Sequence, residues 1–186
     1  MWSLFEAHPG LGHLEELKPY AEAAGTWDEV RGRALDLLRE RIAVAQDERR
    51  ARGYGWSHRD ATELVRINLW EGDVEAALAD AREGGCRQEV WRALAEALEE
   101  AEPWEAMIIY REQVESTIER RRKADYREAT DMLAKVRDLM DRTGHGDEFP
   151  AYLETVRERH RRKRNLMKLL QVLEGARGDA GGAAEV

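Results

Sequence analysis

Two runs of cations stand out in a chain of 186 residues whose formal net charge is −8. Between Arg157 and Lys168 there are seven basic residues and one acid, Glu158, and Arg120-Arg121-Arg122-Lys123 forms a second run. Guanidinium and ammonium groups at this density can bind phosphates, with release of counterions and a steep dependence on salt. They can equally dock an acidic partner protein, or form a solvated helix junction paired with acidic neighbouring helices. Two features speak against nucleic acid. Aromatic residues for base stacking are not interleaved with the run, and the overall charge has the wrong sign for a general nucleic-acid binder. The charge is also uneven: residues 1–100 carry 13 Lys or Arg against 21 Asp or Glu, whereas residues 101–186 carry 17 of each.

The remaining reactive side chains form no constellation. The histidines are His8, His13, His58, His145 and His160. His13 with Glu16, and His145 with Asp147, are the nearest approaches to a ligand pair, and neither has a second partner close in sequence. Surface or capping positions are therefore expected for the histidines, and no metal. Acids such as Glu99, Glu100 and Glu102 fall on polar helix faces where they stay ionised, unlike the buried carboxylate pairs of acid–base catalysis. The three serines, Ser3, Ser57 and Ser116, sit in no strained glycine elbow. No glycine-rich loop with a following lysine is present, which excludes P-loop nucleotide hydrolysis. Cys86 follows Gly84-Gly85 near a helix start, where a thiol could be activated; the alternative is a small apolar packing residue. The chain reads as non-enzymatic, with no catalytic residue and no cofactor.

The elements that must position these groups are helices. Hydrophobic residues make up 42% of the chain and charged residues 37%, with only four prolines, a composition that favours helix over sheet. Apolar residues recur at three and four: Val30, Ala34, Leu37, Leu38, Ile42 and Ala45 form one stripe. Helices are expected at about 13–24, 27–50, 58–71, 73–83, 88–101, 103–121, 125–142, 147–160 and 162–173. Gly25, Gly72, Gly84-Gly85 and Gly144 fall where helices should stop. Thr26 with Glu29 reads as a capping box, Ser57, Asp73 and Asp125 as N-caps, and Pro103 as a first-turn residue. Pro19 should kink or divide its helix. A single helical-repeat domain is expected over 1–174, followed by a disordered Gly/Ala-rich tail over 175–186.

Short helices joined by tight turns pack as antiparallel neighbours. Trp91, Leu94, Ala95 and Leu98, then Ala106 and Tyr110 beyond Pro103, have the spacing of a tetratricopeptide-like hairpin, in which small residues allow close approach and an aromatic fills the gap. The expected fold is thus all-α, with antiparallel helical hairpins stacked as a tetratricopeptide-like α-solenoid. Trp27, Trp91 and Trp104 fall on apolar stripes and are expected in the core. Trp56 and Trp70 are candidates for a binding surface, since tryptophan gives large contact area at low entropic cost. The first segment, with Trp2, Leu4, Phe5, Leu11, Leu14 and Leu17, has little polar cap. It either folds over the first helix pair as a lid or leaves an uncapped end through which the chain could associate with another copy or another chain.

Residues 91–170 resemble the helical C-terminal region of bacterial SWIM zinc finger proteins. The likeness rests on Trp91-Arg92-Ala93-Leu94-Ala95, Pro103-Trp104-Glu105-Ala106 with Tyr110, Tyr126-Arg127-Glu128-Ala129, Phe149 with Tyr152-Leu153, and the 157–164 basic run before Leu169-Leu170. Upstream, His8-Pro9 and the stretch from Gly25 to Arg31 are similar to an earlier repeat of that region. The zinc motif of those proteins needs three cysteines and a histidine, and this chain has one cysteine. The resemblance therefore implies a tetratricopeptide-like scaffold without the metal.

The expected function is a non-catalytic scaffold that binds a protein or peptide partner. Trp56, Trp70, Arg159, Arg161, Arg162 and Arg164 are the candidate binding residues. The alternative is an accessory nucleic-acid-binding module that uses the 157–168 surface. With no apolar run near 18 residues and no signal-peptide pattern at the start, a cytoplasmic location without membrane association is expected.

Overall fold

Glycines in the left-handed region close three of the helices, each with the same pair of hydrogen bonds. At Gly25 (φ 69°) the Thr26 N–H donates to Ala21 and the Gly25 N–H to Glu22; at Gly72 (φ 80°) Asp73 donates to Asn68 and Gly72 to Leu69; at Gly144 (φ 80°) His145 donates to Met140 and Gly144 to Asp141. These are Schellman caps, which only a residue free of Cβ adopts without strain. In a computed structural model that describes residues 1–51 and 60–178, such caps punctuate an all-helical chain. The binding candidate Trp56, the loop at 53–55, Ser57, His58 and residues 179–186 lie outside the described residues.

Among the described residues there are ten α-helices and no strand. They are α1 (Trp2–Ala7), α2 (Leu11–Ala23), α3 (Trp27–Ala51), α4 (Thr62–Glu71), α5 (Val74–Gly84), α6 (Gln88–Leu98), α7 (Pro103–Glu119), α8 (Lys123–Arg142), α9 (Phe149–His160) and α10 (Arg164–Gly178), with a 3-10 turn at Gly146–Glu148 before α9. The helix positions follow the apolar periodicity closely, and the differences have local causes. The short α1 is an added helix. Helix α2 runs undivided through Pro19, because Leu14, Leu17 and Ala21 anchor one face of it in the core. Asp73 caps α5, its carboxylate accepting the Ala76 N–H at 3.0 Å. Asp125 is not an N-cap but lies inside α8, where its carboxylate reaches back to the Arg122 N–H at 3.0 Å. The Thr26 hydroxyl donates to the Ala21 carbonyl at the end of α2 (3.4 Å). Helix α10 continues to Gly178, past the Gly175 at which a tail was expected.

The chain divides into two compact units, Met1–Leu94 and Ala95–Val186. In the first, Phe5, Leu14 and Leu17 join Ala34, Leu35 and Leu38 of α3 and Leu64 and Ile67 of α4 in one buried cluster, with Trp2, Leu11, Trp27, Leu37 and Ile42 packed against it. The N-terminal segment thus folds as a lid over this helix pair. Helix α5 lies on α4 through the small residues Ala77 and Ala81. The buried Asn68 side chain donates to Asp80 at 2.7 Å, which satisfies a polar group that would otherwise be costly to bury.

In the second unit α7 and α8 form the main antiparallel pair. Met107, Ile109, Tyr110, Val114 and Ile118 face Ala129, Met132, Leu133, Val136 and Met140, all buried. Helix α10 adds Leu166, Leu170 and Leu173 against α8, where the Arg137 guanidinium donates to the Leu173 carbonyl (3.1 Å). Helix α9 buries Phe149, Leu153, Val156 and His160, a stripe spaced four, three and four. Trp104 departs from its expected core position: it is 49% exposed and lies 5.3 Å from the His145 ring. It sits two residues, about 200° of helix rotation, before the buried Ala106.

Glu99 ties the start of this unit together. Its carboxylate accepts from Tyr110 Oη (2.7 Å) and Lys135 Nζ (2.9 Å), and Arg142 donates to its carbonyl (3.2 Å). Burial pushes the carboxyl upward, but the bonds from Tyr110 and Lys135 outweigh that and hold it below the ordinary glutamate range. A depressed folded-state pKa contributes stability above the unfolded value, about 4.3, and loses it as pH falls through the folded value. Glu99→Gln should therefore destabilise at pH 7, and the gap to the parent chain should narrow as pH falls below the unfolded value, as read by urea unfolding at pH 7 and at pH 3.5.

Candidate cationic docking site

Parts of both basic runs come to the same place. Helix α7 ends at Glu119 and α9 at His160, and the turns that follow carry 120–122 and 161–163. A cleft of about 740 Å³ opens there, lined by Arg121, Arg159, Arg161, Arg162 and Lys163, with Glu119, Tyr126, Glu158 and His160. Cations after a helix end are locally sensible, because the last turn presents unpaired carbonyls and the negative end of the helix dipole. Two such ends account for part of the basic composition, and the tertiary fold puts them side by side.

The cations of the cleft fall into two groups. Arg159 pairs with Glu115 of α7 (2.9 Å), Lys163 with Glu119 (2.9 Å), and Arg121 approaches Glu119 at 4.0 Å. Just outside the cleft, Arg157 is held by Glu154 and Glu174. Arg161 and Arg162 are exposed and have no carboxylate partner among the described residues. Arg164, the first residue of α10, is likewise exposed and unpaired but does not line the cleft. Of the four arginines singled out by sequence, the fold thus gathers Arg159, Arg161 and Arg162 around one cavity with Arg164 next in chain. The solvated junction paired to acidic helices, one of the alternatives left open, describes Arg157, Arg159 and Lys163 and not the others.

Sequence spacing overlooked the acids and the histidine that organise this site. His160 is only 4% exposed, which corrects the expectation of a surface or capping histidine. Its Nε2 lies 2.9 Å from Glu115 and its Nδ1 3.1 Å from Lys163 Nζ. Lys163 also donates to the Ile118 carbonyl (3.4 Å). The signals were present: His160 continues the 149, 153, 156 stripe of α9, and Glu115 and Glu119 are four apart on α7. Lys163 holds the exposed Glu119 carboxyl below its ordinary range, with smaller help from His160 and Arg121.

A second cleft of about 760 Å³ shares Arg159 and includes Glu115, Arg111, Glu112, Tyr152 and Thr155. The Arg111 guanidinium lies 4.4 Å from the Tyr152 ring centre. Burial pushes the Tyr152 phenol up to about 12, with Arg111 drawing it the other way. Cys86, in the first unit, is half-buried, and burial followed by the charges of Asp60 and Glu89 pushes its thiol up to about 12. The packing alternative for Cys86 is the one in keeping with this environment. No group of three His, Cys, Asp or Glu side chains among the described residues is placed to hold a metal ion, and no described helix is long and apolar enough to cross a membrane.

Trp70, the remaining described candidate, belongs to the first unit and is half-buried. Its ring meets Trp27 edge-on (6.3 Å, 81°), and Lys18 Nζ lies 4.5 Å from Trp70 and 5.3 Å from Trp27. The pair joins α2, α3 and α4, beside the Arg31–Glu71 ion pair (2.7 Å). Cation–π contact of this kind stabilises by about 0.5–1 kcal/mol at exposed sites.

One cleft residue is held against its own backbone preference. Arg121 has φ 65°, and it is the one non-glycine residue with positive φ among those described. A residue with a Cβ meets a cost of roughly 1 kcal/mol there, and glycine meets none. The preceding Arg120 is right-handed (φ −67°, ψ −22°). Arg121→Gly should therefore leave the urea midpoint at or above that of the parent chain, while Arg120→Gly should lower stability by about 0.5–1 kcal/mol.

No curated protein and no solved structure matches the chain. Residues 73–168 match DUF6880, a family of unknown function. The match runs from the N-cap of α5 into α10, covers just over half of the chain and contains every residue that lines the cationic cleft. By that match, this protein is a member of the DUF6880 family.

Proposed function

We propose that the chain is a non-catalytic helical scaffold that docks an acidic segment of a partner protein in the cleft at the α7–α8 and α9–α10 turns. The observation that carries this reading is the convergence of residues 121 and 159–163, nearly forty positions apart, on one cavity. Arg161 and Arg162 stand there without carboxylate partners among the described residues. Arginine forks suit carboxylates, which they bind in pairs of parallel hydrogen bonds. Glu115 and Glu119 preset Arg159 and Lys163, so less side-chain entropy is lost on binding.

The architecture in this reading is tetratricopeptide-like. The buried small residues Ala77 and Ala81 of α5, Ala95 of α6 and Ala106 of α7, with the buried Tyr110, support it. The likeness of 91–170 to the helical region of SWIM zinc finger proteins is in keeping with such a scaffold.

A protein partner is favoured over nucleic acid by the aromatic content of the cleft. Its one aromatic ring, Tyr126, is 8% exposed and offers no stacking face to a base. Binding of a labelled octa-aspartate peptide, a 20-nucleotide single strand and a duplex of that length, measured by fluorescence anisotropy at 50 and 200 mM salt, tests the reading. The peptide should bind, weaken with salt, and lose at least about tenfold in affinity in the Arg161→Glu, Arg162→Glu, Arg164→Glu triple variant. Oligonucleotides that bind more tightly than the peptide and lose that binding in the variant would replace the protein partner with nucleic acid. Absence of binding by all three probes would overturn the docking site.

A further inference from the structure

The buried His160 has a second consequence for the cleft, one that rests on the docking reading. A lysine ammonium has donors only, so its contact with His160 Nδ1 (3.1 Å) makes that nitrogen the acceptor. The ring proton is then on Nε2, where it is donated to Glu115 (2.9 Å). The neutral imidazole is therefore the form built into this arrangement, and it helps to sequester Lys163, which also donates to Glu119 and to the Ile118 carbonyl.

We propose that His160 links docking to proton uptake, so that the cleft binds acidic segments more tightly when the imidazole is protonated. A proton on Nδ1 removes the acceptor that Lys163 uses and sets two cations 3.1 Å apart. The new Nδ1–H has a carboxylate at hand, since Glu119 Oε1 is 3.8 Å away. The imidazolium keeps Glu115 through Nε2 and takes Glu119 through Nδ1. Lys163, 17% exposed, is released toward the cleft. The cleft gains one positive charge and one free ammonium.

The charged neighbours divide between acids that favour the proton and cations that oppose it. From α7, Glu115 and Glu119 face the ring and favour the proton. From α9 and the turn after it, Arg159 is neutralised by Glu115, while Lys163, Arg161 and Arg162 oppose the proton. Arg121 from the α7–α8 turn opposes it as well, Glu158 favours it, and Tyr126 of α8 lines the same cavity without a charge to contribute. An acidic ligand neutralises the opposing cations, and by linkage it must then favour protonation as much as protonation favours the ligand. Histidine is the side chain whose ordinary charge change lies between about pH 5 and 8, and that window is the one to test.

The octa-aspartate peptide is a suitable probe because its carboxylates stay ionised at both pH 6.0 and pH 8.0. The full chain should bind it about fivefold or more tightly at pH 6.0 than at pH 8.0, and His160→Gln should bind it with no such dependence. As a readout that needs no variant, the titration midpoint of the His160 ring in the parent chain, followed by NMR, should move upward on saturation with peptide. Equal affinity at the two pH values, the same pH dependence in parent and variant, or an unmoved ring midpoint would each overturn proton linkage and leave the docking site standing. Absence of peptide binding at both pH values would bring down the docking site and the linkage together.

Discussion

A buried imidazole held between a carboxylate and an ammonium fixes how the second unit presents its cations. Polar groups removed from water are costly unless each finds a partner, and His160 meets that demand only when Glu115 and Lys163 are both in place. The end of α9 is thereby tied to α7, and Arg159 and Lys163 are drawn onto α7 acids at the same time. Arg161 and Arg162, which follow directly in chain, are left exposed with no acid to answer them among the described residues. The free cations of the cleft thus depend on the paired ones, which set the turn from which they project.

The charge distribution is consistent with a surface kept for an anion. Helix-end cations complement the dipole and would serve stability alone at a few tenths of a kcal/mol each. Such a role needs no convergence of two turns, and it does not require an arginine at positive φ. Where a turn of α7–α8 type calls for a left-handed residue, glycine is the residue without strain, as Gly25, Gly72 and Gly144 show elsewhere in the chain. Arg121 occupies such a position and lines the cleft. Local strain retained at a surface site is a recognised mark of function. The Trp27–Trp70–Lys18 arrangement of the first unit differs, since each of its groups is engaged by the others.

How much of this was legible in the sequence depends on the range of the interaction. Helices were visible because a three-and-four apolar period and a glycine stop are local signals, and α5 begins at its Asp73 cap as expected. Asp125 was misplaced because a carboxylate can cap from N3 as readily as from the N-cap, and the two look alike in one dimension. Trp104 was misplaced because it sits about 200° around α7 from the buried Ala106, which an apolar stripe does not reveal at a helix start. The arginines of 157–164 announced themselves by density. Glu115, Glu119 and the burial of His160 did not, because their meaning comes from contacts across some forty-five residues, and nothing in a run of charges says which members will be neutralised. His160 on the stripe of Phe149, Leu153 and Val156 was the readable hint.

Most direct for the central claim is a map of where an acidic peptide touches the chain, taken from amide and arginine side-chain NMR shifts of the labelled protein as octa-aspartate is added. The account places the largest changes at Arg121 and at 159–164, together with the His160 ring, and leaves Trp27 and Trp70 unmoved. Changes centred on the first unit, or spread evenly over the basic residues of the chain, would contradict it.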